Sequence, residues 1–474
     1  MRMRKSLLVD IIIILIITLV SSLIIFNNLG TSTVKDWDEA RYGESALEIL
    51  KTNNWIVMKY AGEPSLAKPP LGIWLIAISF SLFGINEFAL RFFSALAGVL
   101  TIIIVYLFGK EISNRYVGIF SATILITIQG FIGFHSARSG DLDSLVTFFI
   151  TLSLFLFYKY TKTKNTKLLI GTGIAIGLGF LTKSIVGLFP ILIIGICIIH
   201  QNSLKEYLNK KTLYSALAFL LIVLPWYTLC FFKESNYYKR LYTFLNEIIR
   251  GPTPPKWSID PFYYLQVLAS NFDFLLLAIL ITSFVFLLYL AIKKKKYASF
   301  LIIWILTIII IFSLAKNKTF WYIIPLYPPL CIITALGFEK AKKIFKLNRM
   351  TILIIFILIL LLPFIKIINY TNQNQINPVH NSIKSLNKDL EKINSTIYFK
   401  HLDIYDNNKQ STFFYLNAYS KARISSYTNF SEINTKKGEY VISFDNKTTN
   451  ILNNKTDYEL ELTKKDLYLF KKLS

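Results

Sequence analysis

Long, uninterrupted apolar runs constrain this sequence more than any other feature. Three of them are IIIILIITLV (11–20), SFLIIWILTIIIIF (299–312) and TILIIFILILLLP (351–363). Hydrophobic residues make up 54% of the 474 residues, whereas soluble domains carry roughly 45–50%. The sequence therefore excludes a soluble globular enzyme and a disordered scaffold, and it predicts a membrane protein.

A transmembrane helix needs about 20 apolar residues, because every backbone amide must be hydrogen-bonded within the segment. Eleven segments fit, and we predict an all-α membrane domain of about 11–13 transmembrane helices. The segments are 7–27, 88–108, 116–134, 144–160, 167–182, 184–200, 212–232, 271–291, 298–315, 321–338 and 350–369. The first follows MRMRK and lacks a small-residue cleavage site, so we expect it to be a retained anchor.

The basic residues indicate the orientation of these segments, because cytoplasmic loops carry an excess of Lys and Arg. With a cytoplasmic N-terminus, five loops fall inside, and each is basic. They are GKEISNR (109–115), KYTKTKNTK (159–167), LKEYLNKK (204–211), KKKK (293–296) and EKAKKIFKLNR (339–349). The formal charge of +24 is thus mostly an orientation signal, and we expect no nucleic-acid partner.

Three long pieces then fall on the exoplasmic side: 28–87, 233–270 and the chain after about residue 370. We predict a membrane domain at 1–369, which includes the first two pieces, and a C-terminal domain at 370–474. Strand-like runs predict a small α/β fold for this exoplasmic domain. The runs are STIYFK (395–400), TFFYL (412–416), YVISF (440–444) and YELEL (458–462).

The cysteines and the short motifs exclude several kinds of site. Cys197, Cys230 and Cys331 lie in or beside apolar segments, so neither a disulfide framework nor a zinc cluster is expected. The sequence has no CxxC, P-loop, dinucleotide-binding glycine pattern or HExxH.

Cations on the exoplasmic side are not explained by orientation. They are Arg41, Lys59, Lys68, Arg138, Lys183, Lys239, Arg240, Arg250, Lys256, Lys316 and Lys318. Any one of them can extend towards lipid phosphates. Together they predict a site for anionic phosphate at the outer membrane surface.

Acidic residues accompany these cations in two places. The first, KDWDEARYGESALEILKTNNW (35–55), predicts an interfacial helix because its apolar residues recur at helical spacing. Asp36, Asp38 and Glu39 fall in the first turn, where an acid compensates the helix dipole. One acid satisfies that role, so at least one remains for function.

The second acidic cluster is RSGDLDSL (138–145). Asp141 and Asp143 could each cap the following span, and for Asp141 capping and catalysis remain equally open. Asp143 lies next to basic residues, which favours a functional role. His135 could be a ligand or base, although a lone interfacial His is more often structural.

The sequence resembles a known family in its first predicted exoplasmic loop. Asp38-Glu39-Ala40-Arg41-Tyr42, followed by NNWIVMKYAGEPSLAKPPLGIWLIAISFSLFGINEFALRFFSALAG (53–98), resembles the GT-C glycosyltransferases related to protein O-mannosyltransferases, especially the lipid A aminoarabinose transferases. Shorter matches follow in order: RSGDLDSLVTFF (138–149), GFLTKSIVGL (179–188), LPWY (224–227), DPFYYL (260–265) and AKNKTFWYIIPLYPPL (315–330).

This resemblance implies a GT-C fold with exoplasmic interfacial helices and an inverting transfer of sugar from an undecaprenyl-phosphate donor. It implies catalytic or acceptor-orienting roles for Asp38, Asp143 and Glu39. The implied contacts to the donor and its phosphate are Arg41, Tyr42, Lys68, Lys183, Arg250, Lys318 and Tyr322.

The implied acceptor is lipid A phosphate at the periplasmic face of the bacterial inner membrane. The donated group would be an amino sugar such as aminoarabinose or galactosamine, a lipopolysaccharide modification associated with polymyxin resistance. A protein Ser or Thr, or a polysaccharide, is the alternative acceptor. A non-catalytic lipid or ion transporter is the alternative of another class. We expect a monomer surrounded by membrane lipids.

The sequence departs from the family pattern at two positions that can hold a divalent metal in that family. The Glu before the Lys-Pro pair is Ala67 here, and the His of a Glu-His-x-x-Arg segment is Glu247. We therefore expect no metal and no other cofactor. Glu247 with Asp38 is the remaining set that could recruit an oxygen-preferring ion.

Overall fold

The structure, a computed structural model, describes residues 2–65, 68–234, 260–400, 409–427, 435–444, 446–464 and 467–473. The chain divides into two compact units. The membrane unit comprises Met1–Asn27, Leu66–Gly72 and Arg91–Gln373. The α/β unit comprises Asn28–Ser65, Ile73–Leu90 and Asn374–Ser474. Much of the predicted first exoplasmic loop thus groups with the C-terminal region.

The membrane unit is built from helices, as the apolar runs predict. Its helices are α1 (Arg2–Phe26), most of α4 (Glu87–Ile112), α5 (Arg115–Thr127), α6 (Gln129–Ile132), α7 (Asp143–Thr163), α8 (Thr166–Lys183), α9 (Phe189–His200), α10 (Leu204–Tyr207), α11 (Lys210–Lys233), α12 (Tyr263–Asn271), α13 (Phe274–Ile292), α14 (Lys296–Leu314), α15 (Tyr327–Ile344) and α16 (Arg349–Asn372). Two 3-10 helices, Ser184–Leu188 and Phe320–Leu326, lead into α9 and α15.

Within the described part of the chain, nine helical stretches are long and apolar enough to cross a membrane. They are Ser6–Phe26, Glu87–Ile112, Asp143–Thr163, Thr166–His200, Lys210–Lys233, Phe274–Ile292, Lys296–Leu314, Phe320–Ile344 and Arg349–Asn372. The predicted fold class is confirmed, and the protein is a multi-pass membrane protein.

The difference from eleven predicted segments has two local causes. Segments 167–182 and 184–200 form one stretch of 35 residues, because the 3-10 helix at Ser184–Leu188 carries α8 into α9. Segment 116–134 instead contains α5, which has 13 residues, and the short α6. Ile128 takes extended backbone angles between them and ends α5 early.

A charged cluster that the sequence did not single out pairs the lone acid of α1. Asp10 is 8% exposed, and its carboxylate accepts hydrogen bonds from Tyr106 (2.9 Å), Lys110 (2.6 Å) and Arg115 (2.7 Å). An unpaired carboxylate at membrane depth is costly, so these partners make Asp10 tolerable in an apolar helix. In the sequence, the position of this acid within an apolar span was the feature that could have indicated the cluster.

Small residues allow helices of the membrane unit to approach closely. A Cβ at Gly118 of α5 would collide with the carbonyl oxygen of Tyr106 on α4, and one at Gly173 of α8 would collide with Ser215 on α11. Close backbone approach through glycine is a common source of packing between membrane helices. The second contact packs α11 closely against α8, the helix that ends at Lys183.

The α/β unit contains a five-stranded sheet in the order β4-β3-β5-β7-β6. β3 pairs in parallel with β4 and β5, whereas β7 is antiparallel to β5 and β6. The strands are β3 (Ile397–Lys400), β4 (Ile424–Tyr427), β5 (Tyr440–Ser443), β6 (Tyr458–Lys464) and β7 (Leu467–Lys472), and a separate hairpin joins β1 (Lys59–Tyr60) to β2 (Glu63–Pro64). The helices are α2 (Asp38–Thr52), most of α3 (Leu71–Phe83), α17 (Pro378–Ser385), α18 (Asn387–Leu390), α19 (Lys409–Tyr419) and α20 (Asn446–Asn453).

One predicted strand is wrong. The run TFFYL (412–416) lies in α19, and the sequence reading missed β4 and β7. A short apolar run fits a buried helix as well as a strand. Phe414, Tyr415 and Leu416 are all at most 2% exposed, so burial on several faces hid the helical period.

Candidate functional site

Two predicted site residues form a buried ion pair at helix ends in the membrane unit. α7 begins at Asp143 and α8 ends at Lys183. The Lys183 Nζ lies 2.5 Å from Asp143 Oδ1, and the two side chains are 8% and 6% exposed. An acid in a first turn and a cation in a last turn each compensate a helix dipole. The local fold therefore favours both charges at these positions.

Tyr322 and Lys318 lie in the segment between α14 and α15. The Lys183 Nζ is 6.0 Å from the centroid of the Tyr322 ring, a cation–π distance. Lys318 is 5% exposed, and its Nζ donates a 3.1 Å hydrogen bond to the carbonyl of Asp260. The structure thus brings Asp143, Lys183 and Tyr322 together, with Lys318 four residues before Tyr322.

The charge of Lys318 has no acidic partner among the residues that the structure describes. The carboxylate of Asp260 instead accepts from the backbone of Phe262 and the side chain of Gln266, both at 2.8 Å. Burying a cation without a compensating charge is costly. A bound anion would supply that charge.

Buried polar atoms flank Lys318, and the sequence reading missed them. The Oδ1 of Asn317 and the Oγ1 of Thr319 lie buried without a hydrogen-bond partner in the described part of the chain. Buried polar groups are nearly always satisfied by protein, water or ligand. A sugar, which carries many hydroxyls, could satisfy these atoms. In the sequence, the polar residues NKT (317–319) between apolar runs were the feature that could have indicated them.

Lys68 and Arg250 are two further cations predicted to contact the donor phosphate. Lys68 is half-buried and precedes Pro69 and Pro70, which are buried. Two prolines restrict the backbone and favour an extended segment, so they limit where Lys68 can reach. Arg250 lies outside the described residues, as do Ala67 and Glu247.

His135, Arg138 and Asp141 occupy structural positions. Asp141 is 0% exposed, its backbone carbonyl accepts from Ser94 Oγ at 2.7 Å, and its Oδ2 lies 3.1 Å from His135 Nδ1. Arg138 donates to the carbonyls of Ile25 (2.8 Å) at the end of α1 and Thr371 (3.3 Å) at the end of α16. Burial lowers the pKa of Arg138 to about 10. These contacts fix helix ends.

In the α/β unit, α2 begins at Asp38 and confirms the predicted helix. The sequence predicted three acids in its first turn, but Asp36 lies two residues before the helix. Two of these three acids, Asp36 and Glu39, already accept hydrogen bonds. Asp36 Oδ1 accepts from the backbone and hydroxyl of Ser411, at 2.7 and 3.0 Å. Glu39 is 1% exposed, and its Oε2 accepts from the backbone of Lys35 at 2.7 Å. Asp36 and Glu39 thus hold the start of α2.

Asp38 is the acid that remains. It is half-buried, and within the described residues its carboxylate forms no hydrogen bond or ion pair. The preceding residue, Trp37, has φ 68° and ψ −120°. For a bulky residue this backbone conformation is strained by about 1–3 kcal/mol, and such strain concentrates at functional sites. The geometry therefore singles out Asp38.

Arg41 and Tyr42 follow on the same helix. The Arg41 guanidinium lies 5.2 Å from the centroid of the Tyr60 ring. Tyr42 is 5% exposed. Arg41 is therefore the more accessible of these two predicted donor-contacting residues.

The sequence reading did not single out Glu44, which is 0% exposed on α2. Burial raises the pKa of Glu44 to about 8, so its carboxyl is largely protonated at neutral pH. Its Oε1 accepts a hydrogen bond from Asn417 Nδ2. The sequence could have predicted this burial, because Glu44 lies four residues after Ala40 and three before Leu47, on the apolar face of the helix.

In the part of the chain that the structure describes, no three His, Cys, Asp or Glu side chains are grouped to hold a metal ion. The positions that hold a metal in the resembled family are Ala67 and Glu247, and both lie outside the described residues. An alanine side chain has no donor atom, so the residues here do not fit that metal site.

Comparisons with known sequences agree with the resemblance. The family model of the dolichyl-phosphate-mannose-protein mannosyltransferases matches residues 15–238. An uncharacterized protein from Aquifex aeolicus is 32% identical over 315 residues, which cover 65% of this chain and 68% of the relative. The undecaprenyl phosphate-alpha-4-amino-4-deoxy-L-arabinose arabinosyl transferase of Aeromonas hydrophila is 29% identical over 333 residues, which cover 66% of this chain and 58% of that protein. This chain spans 64%, 58% and 51% of the length of three curated relatives.

Solved structures show the same fold. ArnT from Cupriavidus metallidurans in the apo state has a TM-score of 0.73 and 15% identity, covering 99% of this chain and 98% of ArnT. ArnT bound to undecaprenyl phosphate has a TM-score of 0.70 and 15% identity, covering 98% of each chain. The apo oligosaccharyltransferase of Archaeoglobus fulgidus has a TM-score of 0.61 and 13% identity, covering 92% of this chain and 69% of that one.

Fold and site define a multi-pass helical membrane protein with buried cations in its membrane unit and a small α/β unit. The chain belongs to the GT-C glycosyltransferase family that includes the protein O-mannosyltransferases and the lipid A aminoarabinose transferases. The resemblance found in the sequence is thereby confirmed.

Proposed function

We propose that this chain is a membrane glycosyltransferase that takes a sugar from an undecaprenyl-phosphate donor. The observation that carries the proposal is Lys318, a cation buried without a carboxylate partner among the described residues. A phosphate in its vicinity would offset the cost of burial. Family membership and the similarity to undecaprenyl phosphate-alpha-4-amino-4-deoxy-L-arabinose arabinosyl transferases support the same donor chemistry.

The proposed reaction breaks the bond between the anomeric carbon and the donor phosphate. The acceptor oxygen attacks that carbon from the opposite face, and the bonding electrons leave with the polyprenyl phosphate. Lys183 and Lys318 stabilise the negative charge that develops on the leaving phosphate, which is worth most in a site of low dielectric. Lys68, Arg250, Arg41 and the hydroxyls of Tyr322 and Tyr42 are further proposed donor contacts.

Asp38 is the proposed acceptor-orienting carboxylate. Where the acceptor carries a proton, Asp38 receives it; where the acceptor is an already ionised phosphate, Asp38 only positions it. Asp143 supports the reaction through Lys183, whose ammonium it holds at 2.5 Å. Glu39 enters as a positioning residue, because its carboxylate is bound to the backbone of Lys35.

We propose an amino sugar as the donated group and lipid A phosphate as the acceptor, in keeping with the aminoarabinose transferases among the relatives. The basic loops support an orientation with a cytoplasmic N-terminus and the site on the periplasmic side of the inner membrane. The proposed active form is a monomer in lipid.

Mass spectrometry of lipid A from cells with and without this gene tests the proposal. We expect cells that carry the gene to show a pentosamine or hexosamine mass on lipid A, and this mass to be absent from the deletion. Cells that produce the Asp38→Asn variant are the matched control and should resemble the deletion. Lipid A that does not change would reject the lipid A acceptor and favour a protein or polysaccharide acceptor.

We further propose that transfer does not require a divalent metal, because Ala67 and Glu247 replace the family's Glu and His. Membranes that contain the chain should transfer sugar at an unchanged rate after treatment with EDTA, because a chelator has no required metal to remove. An aminoarabinose transferase that retains both residues is the control. Loss of transfer that added zinc or magnesium restores would contradict metal independence.

A further inference from the structure

A cavity of about 540 Å³ lies within the α/β unit. It is bordered by the end of α2, by the turn between β1 and β2, and by the segment from α19 to β4. Ligand pockets usually measure roughly 300–1,000 Å³, so the cavity is large enough for a monosaccharide with a charged substituent. None of its lining residues belongs to the site proposed above.

Positive charge dominates this cavity. Lys51, Lys421 and Arg423 line it, and Glu48 is the one carboxylate in its lining. Glu44, one turn from Glu48 on α2, is buried and largely protonated at neutral pH because burial raises its pKa to about 8. Three cations against one ionised acid favour an anionic ligand.

Lys51 is held in place before any ligand arrives. Its Nζ donates to the backbone carbonyl of Asn417 at 2.8 Å and also to the side-chain oxygen of Asn417. Asn417 is 7% exposed and in turn donates to Glu44. A lysine ammonium has three N–H donors, so one remains for a ligand. A fixed donor loses little entropy on binding.

The rest of the cavity suits a sugar ring. Phe413 is half-buried in its wall, with its ring centroid 6.1 Å from that of Tyr60. Ala61 and Gly62 form the turn at its edge, with φ values of 52° and 80°. Positive φ at both central residues is typical of a type I′ hairpin turn, and a Cβ at Gly62 would have no atom within 4 Å. The edge is therefore open beside an aromatic surface.

We propose that this cavity binds a phosphorylated saccharide, with the phosphate at Lys51, Lys421 and Arg423 and the sugar ring against Phe413. A free sugar phosphate and a phosphorylated glycolipid headgroup share this chemistry. The site goes beyond the proposed function, because the binding does not require that the chain transfer sugars.

Isothermal titration of the full chain in lipid nanodiscs tests the site with two probes, soluble glucosamine 1-phosphate and nanodiscs that contain lipid A. We expect Lys421→Ala combined with Arg423→Ala to weaken binding at least about ten-fold, as expected when two charged hydrogen bonds to an anion are lost. Lys436→Ala with Lys437→Ala removes the same charge from exposed positions outside the cavity and should bind normally. Glucosamine without phosphate should not compete.

The two probes separate the sources of the ligand. The site is supported if either probe binds and the double variant of Lys421 and Arg423 weakens that binding. The probe that binds identifies the source of the ligand. Failure of both probes to bind, or equal affinity in the two double variants, would overturn it. Sugar transfer is measured on the same samples to distinguish the binding proposal from the proposed function. A chain that binds the probe without transferring sugar would reject only the proposed function.

Discussion

Replacing Asp38 with Asn is expected to lower the rate of sugar transfer by about 100-fold to 10,000-fold, the range of a lost proton-accepting or orienting carboxylate. Asn keeps the shape of the side chain and removes its charge. Asp38 forms no hydrogen bond or ion pair within the described residues, so the loss of its charge should cost the fold only its helix-dipole contribution of about 0.3–1 kcal/mol. The loss should therefore appear in kcat, with little change in the unfolding temperature or in KM for the donor.

Asp36→Asn is the matched control for this prediction. Asp36 lies two residues away, but its carboxylate accepts two hydrogen bonds from Ser411. This variant should lower the unfolding temperature and retain most of kcat. Initial rates and thermal unfolding of purified chains in nanodiscs measure both effects. Normal turnover by Asp38→Asn, or equal losses of kcat in the two variants, would reject Asp38 as the acceptor-orienting residue.

The sequence predicted the cluster of three acids at the start of α2, but not that Asp36 precedes the helix, nor how the acids divide their roles. Three acids in one turn are equivalent as a pattern. They differ in the structure because Asp36 meets Ser411, which is 375 positions away in the chain, and Glu39 turns back to Lys35. A partner so distant follows only from the tertiary fold, so periodicity could not have identified Asp38 alone.

The same limit applies to the cations. Composition and loop charges predicted that Lys183 and Lys318 would be functional, and the resemblance pointed to the same residues. The sequence could not show that Lys183 has an acidic partner while Lys318 has none in the described chain. Arg138, grouped with them as an unexplained cation, instead binds carbonyl oxygens at helix ends.

Apolar runs predicted the membrane helices well because a span must satisfy its own backbone hydrogen bonds. They failed at 116–134, where the extended backbone of Ile128 separates α5 from α6. They failed again at TFFYL (412–416), where all-round burial concealed a helix. Hydrophobicity thus predicts which segments can span a membrane more reliably than it predicts where a helix ends.

Replacing Lys183 with Met is expected to destabilise the chain by about 3–5 kcal/mol, because Asp143 is left as a buried charge without its partner. Met has a similar length and no charge. Combining it with Asp143→Asn removes both charges, and the unfolding temperature should return close to that of the native chain. Thermal unfolding of the two single variants and the double variant forms a double-mutant cycle that isolates the coupling between the pair.

Transfer by the same variants decides what Lys183 does. If Lys183 only neutralises Asp143, the double variant should regain activity together with stability. If Lys183 also stabilises the leaving phosphate, the double variant should be stable and still inactive, because the cation next to Tyr322 is missing. We expect the second result, with kcat lowered at least about 100-fold, the loss typical of one electrostatic contact to the transition state. A stable double variant with near-native kcat would assign Lys183 to the fold alone.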